Sequence, residues 1–130
     1  APKPDKSAKT KSIDSSDKII RDTVEYVNSN ISQSNILIDN IARHLGMSRT
    51  AYYTRIKETT SLSPSDFIRQ LRIRHALQLL KQGDLPISEV AFKVGFTDPK
   101  YFTKCFKAEM EMTPSQYVQQ CKTEIKNILV

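Results

Sequence analysis

The stretch NILIDNIARHLGM at residues 35–47 recurs as DLPISEVAFKVGF at residues 84–96. At this offset of 49 residues, Ala42 aligns with Ala91 and Gly46 with Gly95. One extra residue follows in the second copy, and the alignment continues at an offset of 50. The later matched residues are Tyr52, Ile56, Lys57, Leu62, Pro64 and Ser65 with Phe102, Phe106, Lys107, Met112, Pro114 and Ser115. This self-similarity indicates two copies of one supersecondary unit.

Each copy has the pattern of a short helix, a tight turn and a second helix. Apolar residues at spacings of three and four predict which side of the short helix is buried. They are Ile38, Ile41 and Leu45 in the first copy and Ile87, Val90 and Val94 in the second. Gly46 and Gly95 then stand where a helix end favours a left-handed backbone. This order is typical of a helix-turn-helix unit.

Polar residues mark the expected helix starts in both copies. We expect Asn35 and Asp84 to cap the short helices, because their side chains can accept hydrogen bonds from unpaired amides. Ser48 and Asp98 are the expected caps of the second helices. Pro99 follows Asp98 at the first helical position, where no amide hydrogen is needed.

Further helices are predicted outside the repeated stretches. Ile20, Val24, Val27 and Ile31 recur at helical spacing, which predicts a first helix over about residues 16–30. The sequences at 63–66 and 113–116 have the capping-box form, a hydroxyl followed three residues later by an acid or amide. No stretch alternates for long enough to indicate a strand. The predicted fold class is therefore all-α.

The helix that opens at residue 64 is predicted to join the two copies over residues 64–82. Its expected buried residues are Phe67, Ile68, Leu71, Ala76, Leu79 and Leu80. At 1.5 Å per residue its length is roughly 28 Å, comparable with the ~34 Å of one DNA turn. Arg72 and Arg74 on this helix are expected to be solvated or ion-paired, with a phosphate contact as the less favoured alternative.

The second helix of each copy has a face that the repeat leaves exposed, opposite the buried pairs Tyr52 with Ile56 and Phe102 with Phe106. The exposed residues are Arg49, Thr50, Tyr53, Thr54 and Lys57 in the first copy and Lys100, Thr103, Lys104 and Lys107 in the second. Lys and Arg can contact guanine or phosphate, Thr can contact thymine, and Tyr can reach a phosphate. With the residues that open the helices, Ser48, Asp98 and Pro99, they form the predicted DNA-binding set. The alternative, a solvated surface with a chance basic bias, is disfavoured because both copies repeat the pattern.

The net charge of +6 is concentrated in the middle of the chain. Residues 43–107 contain twelve Lys or Arg against five acids, whereas residues 1–42 are neutral and residues 108–130 carry a net −1. A basic excess within the repeats suits a polyanionic partner such as double-stranded DNA. No apolar run approaches the roughly 20 residues of a membrane span, so we expect no membrane contact by this segment. The number and spacing of the two cysteines favour reduced thiols, so we expect a cytoplasmic location.

Neither an enzyme nor a metal site is predicted. Cys105 and Cys121 lack the number and spacing of a zinc site or a disulfide framework. His44 and His75 stand singly, which favours surface or half-buried structural histidines over ligands. Cys105 has no neighbouring His as a base, so partial burial is expected rather than reactivity. No phosphate loop, carboxylate pair or nucleophile elbow occurs, and no cofactor is expected.

The sequence resembles the C-terminal DNA-binding domain of AraC-family transcription regulators over residues 17–122. The resemblance is carried by residues 41–48, the arginine-bearing segment 67–76, residues 90–98 with Tyr101-Phe102 and Phe106-Lys107, and the ending 112–117. It implies a homeodomain-like fold of about seven helices, with both second helices in successive major-groove segments. It also implies bacterial transcriptional control, usually activation. Two residues depart from the family: Thr54 replaces a frequent basic residue, and Tyr52 replaces an aliphatic one.

The predicted layout is a flexible linker at residues 1–15 and a DNA-binding domain at 16–130, with helix-turn-helix units at 35–60 and 84–109. We expect an upstream sensor or receiver domain, as in hybrid two-component regulators, because the chain starts without Met and with a basic linker. The rival function is a helical protein-interaction module that docks on RNA polymerase or a partner domain through its first and seventh helices. Its binding would resist salt. RNA binding is disfavoured, because exposed stacking aromatics are scarce.

Overall fold

The computed structural model describes residues 18–36 and 38–129, and within these residues it contains seven helices and no strand. Helix α1 covers residues 18–29. The others are α2 (Ile38–His44), α3 (Arg49–Thr60), α4 (Pro64–Gln82), α5 (Ile87–Lys93), α6 (Pro99–Met110) and α7 (Pro114–Leu129). The all-α class is confirmed, and the joining helix has the predicted bounds. The predicted linker at residues 1–15 lies outside the described residues.

The chain divides into two compact units, Ala1–Asn30 with Ile36–Ile68, and Ile31–Asn35 with Arg69–Val130. The division falls inside α4. The loop that joins α1 to α2 belongs to the second unit, although both helices belong to the first. Each unit contains one helix-turn-helix: α2 and α3 in the first, and α5 and α6 in the second.

The core of the first unit is built around the buried Tyr52. The apolar residues buried with it are Val27, Ile41, Ala42, Ile56, Phe67 and Ile68. The phenol of Tyr52 lies 2.8 Å from the hydroxyl of Thr23, which is also fully buried. Burial raises the pKa of Tyr52, and the hydrogen bond with Thr23 opposes this shift only in part. The polar end of this unusual core tyrosine is thus satisfied inside the unit.

The second unit has a larger aromatic core. Its buried residues are Ile73, Ala76, Leu80, Val90, Ala91, Val94, Phe96, Phe102 and Phe106. The ring of Phe102 packs 5.2 Å from Phe96 and 5.8 Å from Phe106, and Phe106 packs 5.9 Å from Tyr117. Tilted and edge contacts at these distances add to the gain from burial. The predicted buried pairs of α3 and α6 are confirmed, since all four side chains are fully buried.

The predicted burial of the other helices is confirmed only in part. Phe67, Ile68, Ala76 and Leu80 of α4 are buried, but Leu71 and Leu79 are half-buried. In the short helices Ile41, Val90 and Val94 are fully buried, whereas Ile38, Leu45 and Ile87 are half-buried. A helix of seven residues has about two turns, so its flanking positions stay near the surface.

Both turns contain the expected left-handed glycines, with φ of +70° at Gly46 and +94° at Gly95. Ser48 accepts a hydrogen bond from the Ala51 amide at 3.1 Å, and Asp98 accepts one from the Lys100 amide at 3.0 Å. These two caps are confirmed. They fix where α3 and α6 begin.

The predicted caps of the short helices are wrong. The N-cap of α5 is Pro86, whose side chain makes no capping bond, and Asp84 lies three residues before the first helical residue. Pro86 has φ −60° and ψ 152°, so the chain is still extended there and the helix begins after it. Asn35 likewise lies three residues before Ile38, the first residue of α2.

The predicted caps of α4 and α7 are present, and in α7 the capping box is complete. Thr113 and Gln116 exchange two bonds, with the Thr113 amide donating at 2.8 Å and the Gln116 amide at 3.2 Å. At the start of α4 the Asp66 amide donates to the Ser63 hydroxyl at 3.2 Å. Both helices therefore begin where the sequence predicts, with a proline at the first position.

Helices α3 and α6 end on residues with a left-handed backbone that are not glycine. Ser61 has φ 65° and Glu111 has φ 61°, and the two positions are 50 residues apart in the repeat. Each amide closes the last turn by donating to Lys57 O or Lys107 O, at 2.9 and 2.8 Å. The two copies thus share the same end geometry.

Candidate nucleic-acid interface

Helices α3 and α6, here called the reading helices, each have a buried side and an exposed side. In α3 the predicted residues Ser48, Arg49, Thr50, Tyr53, Thr54 and Lys57 are all exposed. Tyr53 is 47% exposed although it is aromatic. The burial of Tyr52 and Ile56 accounts for this, because residues one position away lie about 100° round the helix.

Arg49 at the start of α3 has an acidic partner. Its Nη1 lies 3.4 Å from Oδ1 of Asp39 on α2, and the two side chains are 70% and 51% exposed. An ion pair this exposed contributes only ~0–1 kcal/mol, because water screens it. A phosphate or base edge can therefore compete for the guanidinium.

Helix α6 exposes a row of lysines. Lys100, Lys104 and Lys107 are exposed, as is the capping residue Asp98. Pro99 and Thr103 are half-buried, and the Thr103 hydroxyl donates to the Pro99 carbonyl at 3.0 Å. In this arrangement Thr103 offers an outside partner only an acceptor oxygen and its methyl group.

The structure adds Tyr101 to the exposed face of α6. It is 46% exposed, and its hydroxyl accepts a hydrogen bond from Nη1 of Arg69 at 3.3 Å. The repeat gave no signal, because Tyr101 aligns with the small Ala51. The helical spacing could have found it, since Tyr101 lies three residues before Lys104 and so on a neighbouring position of one face.

The acid near the end of α6 faces α4. Glu109 accepts from Nε2 of Gln70 at 3.2 Å and lies 3.7 Å from Nη2 of Arg74. The expectation that Arg74 is solvated or ion-paired is therefore confirmed. Because the Glu109 carboxylate pairs with residues of α4, its negative charge does less to offset the positive charge of Lys100, Lys104 and Lys107.

Arg72 is not on the surface, and the expectation for it is wrong. It is only 6% exposed and donates to three backbone carbonyls of the second unit, those of Ile31, Gln33 and Val94. Burial lowers the pKa of its guanidinium. Because its three hydrogen bonds lie inside the protein, the Arg72 side chain has no access to a phosphate. Arg72 is therefore not one of the cations that can contact DNA.

The remaining predictions concern histidine, cysteine and membrane contact. His44 is exposed beside the ring of Tyr26, at 5.4 Å, and His75 is half-buried. Cys105 and Cys121 are half-buried, as expected for Cys105. The described residues contain no group of three or more potential ligands that could hold a metal ion. No helix among them is both long and apolar enough to cross a membrane.

Sequence and structure comparisons with known proteins find similar regions in several bacterial proteins. Histidine kinase P4 of Formosa agariphila is 36% identical over 101 residues, which is 78% of this chain and 7% of the kinase. The C-terminal domain of AraT, a response regulator from Geobacillus stearothermophilus, superposes with a TM-score of 0.69 at 30% identity, covering 78% of this chain and 84% of that domain. A transcriptional regulator with an AraC-type DNA-binding domain from Chromobacterium violaceum has a TM-score of 0.76 at 25% identity, covering 82% and 95%.

The family relation extends over most of the described residues. The chain spans well under half of the length of the curated relatives that it matches. The family model described as a helix-turn-helix domain matches residues 41–120, from α2 into α7. This chain therefore belongs to the AraC family of transcription regulators and is a sequence-specific DNA-binding domain of that family.

Proposed function

We propose that α3 and α6 enter successive major-groove segments of one duplex and read its sequence. The observation that carries this proposal is the repeated geometry of the two reading helices. Each buries two residues four positions apart and exposes cations, hydroxyls or a phenol on the other side. An exposed helix face of this kind fits the major groove, where every base pair has a distinct pattern of donors and acceptors.

The residues of the two faces have different proposed roles. Lys100 and Lys104 lie in the first two turns of α6, where recognition helices contact base edges. Lys57 and Lys107 lie in the last turns of α3 and α6 and contact phosphates. In α3 the base contacts come from Arg49 and from the threonines Thr50 and Thr54, with Tyr53 reaching the backbone.

The proposed site is asymmetric, because the two reading faces differ in sequence. One monomer then recognises a non-palindromic duplex of roughly 16–20 base pairs, which is two major-groove segments one turn apart. Selection of bound sequences from a random duplex pool tests this. We expect two conserved blocks of different sequence separated by about one turn. Recovery of palindromes, or of a single short block, would contradict it.

Salt dependence separates this function from the protein-interaction alternative. For about five phosphate contacts, the slope of log affinity against log salt is near −4 to −5, on the order of a few hundred-fold between 50 and 200 mM. Titration of a labelled selected duplex at four salt concentrations measures it. A flat line, or no duplex binding at low salt, would contradict DNA binding and favour the helical interaction module.

The role of this segment is binding rather than catalysis, and we propose that it is the output domain of a longer bacterial regulator in the cytoplasm. The names of two relatives, a histidine kinase and a response regulator, favour a two-component system. Reading the coding sequence upstream of Ala1 tests this. We expect a receiver or sensor domain there, and an unrelated upstream sequence would contradict the proposal. RNA polymerase as a partner stays a prediction.

A further inference from the structure

Arg72 occupies the centre of the buried stripe of α4. The residues at four-residue spacing on this helix are Ile68, Arg72, Ala76 and Leu80, and they are 6%, 6%, 0% and 2% exposed. A buried guanidinium is costly unless its hydrogen bonds are satisfied. Its position therefore requires partners inside the second unit.

The partners of Arg72 come from two separate backbone segments. Nη1 donates to the carbonyls of Ile31 and Val94, both at 2.8 Å, and Nη2 donates to the carbonyl of Gln33 at 2.7 Å. Ile31 and Gln33 belong to the loop between α1 and α2, and Val94 ends α5. One planar group thus joins this loop to the turn of the second helix-turn-helix. A lysine has all its donors on one nitrogen and cannot copy this fork.

The turn backbone lies directly against the guanidinium. A Cβ on Gly95 would be 1.7 Å from Nη1 of Arg72 and 2.6 Å from the carbonyl oxygen of Ile31. The glycine is thus required both by its φ of +94° and by the approach of the side chain and the loop. The turn and Arg72 form one closely packed assembly.

This assembly immediately precedes the second reading helix. The amide of Phe96 donates to Ala91 O at 2.9 Å, which closes the turn, and Asp98 then caps α6. Only three residues separate Val94 from Asp98. A shift of the Val94 carbonyl therefore passes to the first turn of α6, where Lys100 lies.

We propose that Arg72 is a positioning residue for DNA reading by α6, and that through it the loop at residues 31–35 sets the placement of this helix. The inference rests on the proposed function of α6. Arg72 itself contacts no DNA, because its donors are used inside the unit. Its contribution is to hold the turn so that the lysines of α6 meet the base edges in one orientation.

The principal test uses Arg72→Lys in the full chain, with Arg74→Lys as the matched control. Arg74 lies on the same helix, but its side chain is 60% exposed and its Nη2 lies 3.7 Å from the carboxylate of Glu109. Helix content and the melting temperature are measured first. Affinity is then measured well below the melting temperature, for the selected duplex and for duplexes altered in one segment at a time. Lys104→Ala identifies the segment that α6 reads, because its preference is the one that relaxes.

We expect Arg72→Lys to lower affinity by about tenfold, equivalent to one lost base contact, and to weaken preference only in the segment of α6. Arg74→Lys should leave both preferences unchanged. A folded Arg72→Lys protein with normal preferences, or with an equal loss in both segments, would overturn the inference. Failure of the unaltered protein to bind any duplex would instead overturn the proposed function.

A second variant keeps the test decisive if Arg72→Lys does not fold. Insertion of one glycine between Ser32 and Gln33, both exposed, moves the Gln33 carbonyl without changing Arg72 or α6. Exposed loops tolerate such insertions. The same selective loss in the segment of α6 is expected. An insertion variant with full preference in that segment would show that the loop does not set the helix.

Discussion

The two units use different buried polar residues to fix their helix-turn-helix elements. Among the described residues, the buried polar or charged side chains are Thr23 in the first unit and Arg72 in the second. Thr23 is short and bonds to the phenol of Tyr52. Arg72 is long and bonds to backbone carbonyls that flank the turn. Thr23 thus anchors a reading helix in one unit, and Arg72 holds a turn in the other.

The consequence is visible at the two glycines. Among the described residues, no heavy atom other than those of its chain neighbours lies within 4 Å of a Cβ built on Gly46, whereas a Cβ on Gly95 would overlap Arg72 and the backbone of Ile31. The residues match in sequence and in the sign of φ, yet only the second turn is enclosed. A repeat therefore copies backbone geometry, while the surroundings depend on residues that differ between copies.

The largest expected effect is the contrast between Gly95→Ala and Gly46→Ala. At Gly46 only the left-handed backbone opposes alanine, which costs about 1–2 kcal/mol. At Gly95 the overlap adds to this, and we expect a loss above about 4 kcal/mol or unfolding of the second unit. Urea denaturation of both variants measures the difference. Equal losses would contradict the contrast between the turns.

The next effect concerns DNA affinity and the two reading faces. Lys100→Ala with Lys104→Ala should cost about 1–3 kcal/mol for each lysine that reads a base edge, with helix content unchanged. The matched change is Thr50→Ala with Thr54→Ala, at the same repeat positions of α3. We expect a smaller loss there, because no charge is removed. Binding titrations on the selected duplex compare the two pairs, and full affinity of the lysine pair would remove α6 from the interface.

A third effect tests the hydrogen bond in the core of the first unit. Tyr52→Phe leaves the Thr23 hydroxyl buried without its partner, and we expect a loss of about 1–3 kcal/mol. Adding Thr23→Val removes both polar groups, so most of the loss should be recovered. Thermal or urea unfolding of the single and double variants checks this. A double variant less stable than Tyr52→Phe would mean that the contact is not the source of the loss.

The smallest effect lies in the salt slope. Lys57→Ala and Lys107→Ala each remove one proposed phosphate contact, and each should reduce the slope by about one while weakening all sequences alike. The two residues are equivalent in the repeat and both are exposed. A change in base preference without a change in slope would assign that lysine to a base edge.

The repeat made much of this fold predictable. Matching Tyr52 with Phe102 and Ile56 with Phe106 gave the buried side of both reading helices, and the exposed side followed from helical geometry. The capping box and proline at residues 63–66 gave the start of α4. These signals come from residues close together in the sequence, and the helices and buried pairs that they predict are present in the structure.

The contacts that the sequence did not reveal are distant in sequence or unusual in type. Thr23 and Tyr52 are 29 residues apart, and Arg72 and Ile31 are 41 apart. Arginine is rarely buried, so solvation was the natural expectation for Arg72. The stripe shared with Ile68, Ala76 and Leu80 was the available signal. The DNA-binding set stays a prediction, because exposure alone does not tell a base contact from a phosphate contact.

The left-handed ends of α3 and α6 have a consequence for how this domain can diverge. Ser61 and Glu111 carry side chains where the backbone favours glycine, at a cost of about 1–2 kcal/mol each. A glycine at either site would relieve that strain without touching an exposed residue of a reading face. The described residues thus include two positions outside the predicted DNA-binding set where a single change offsets a destabilising substitution elsewhere. A glycine at position 61 or 111 would therefore let the domain accept a destabilising substitution on a reading face while it acquires a new target sequence.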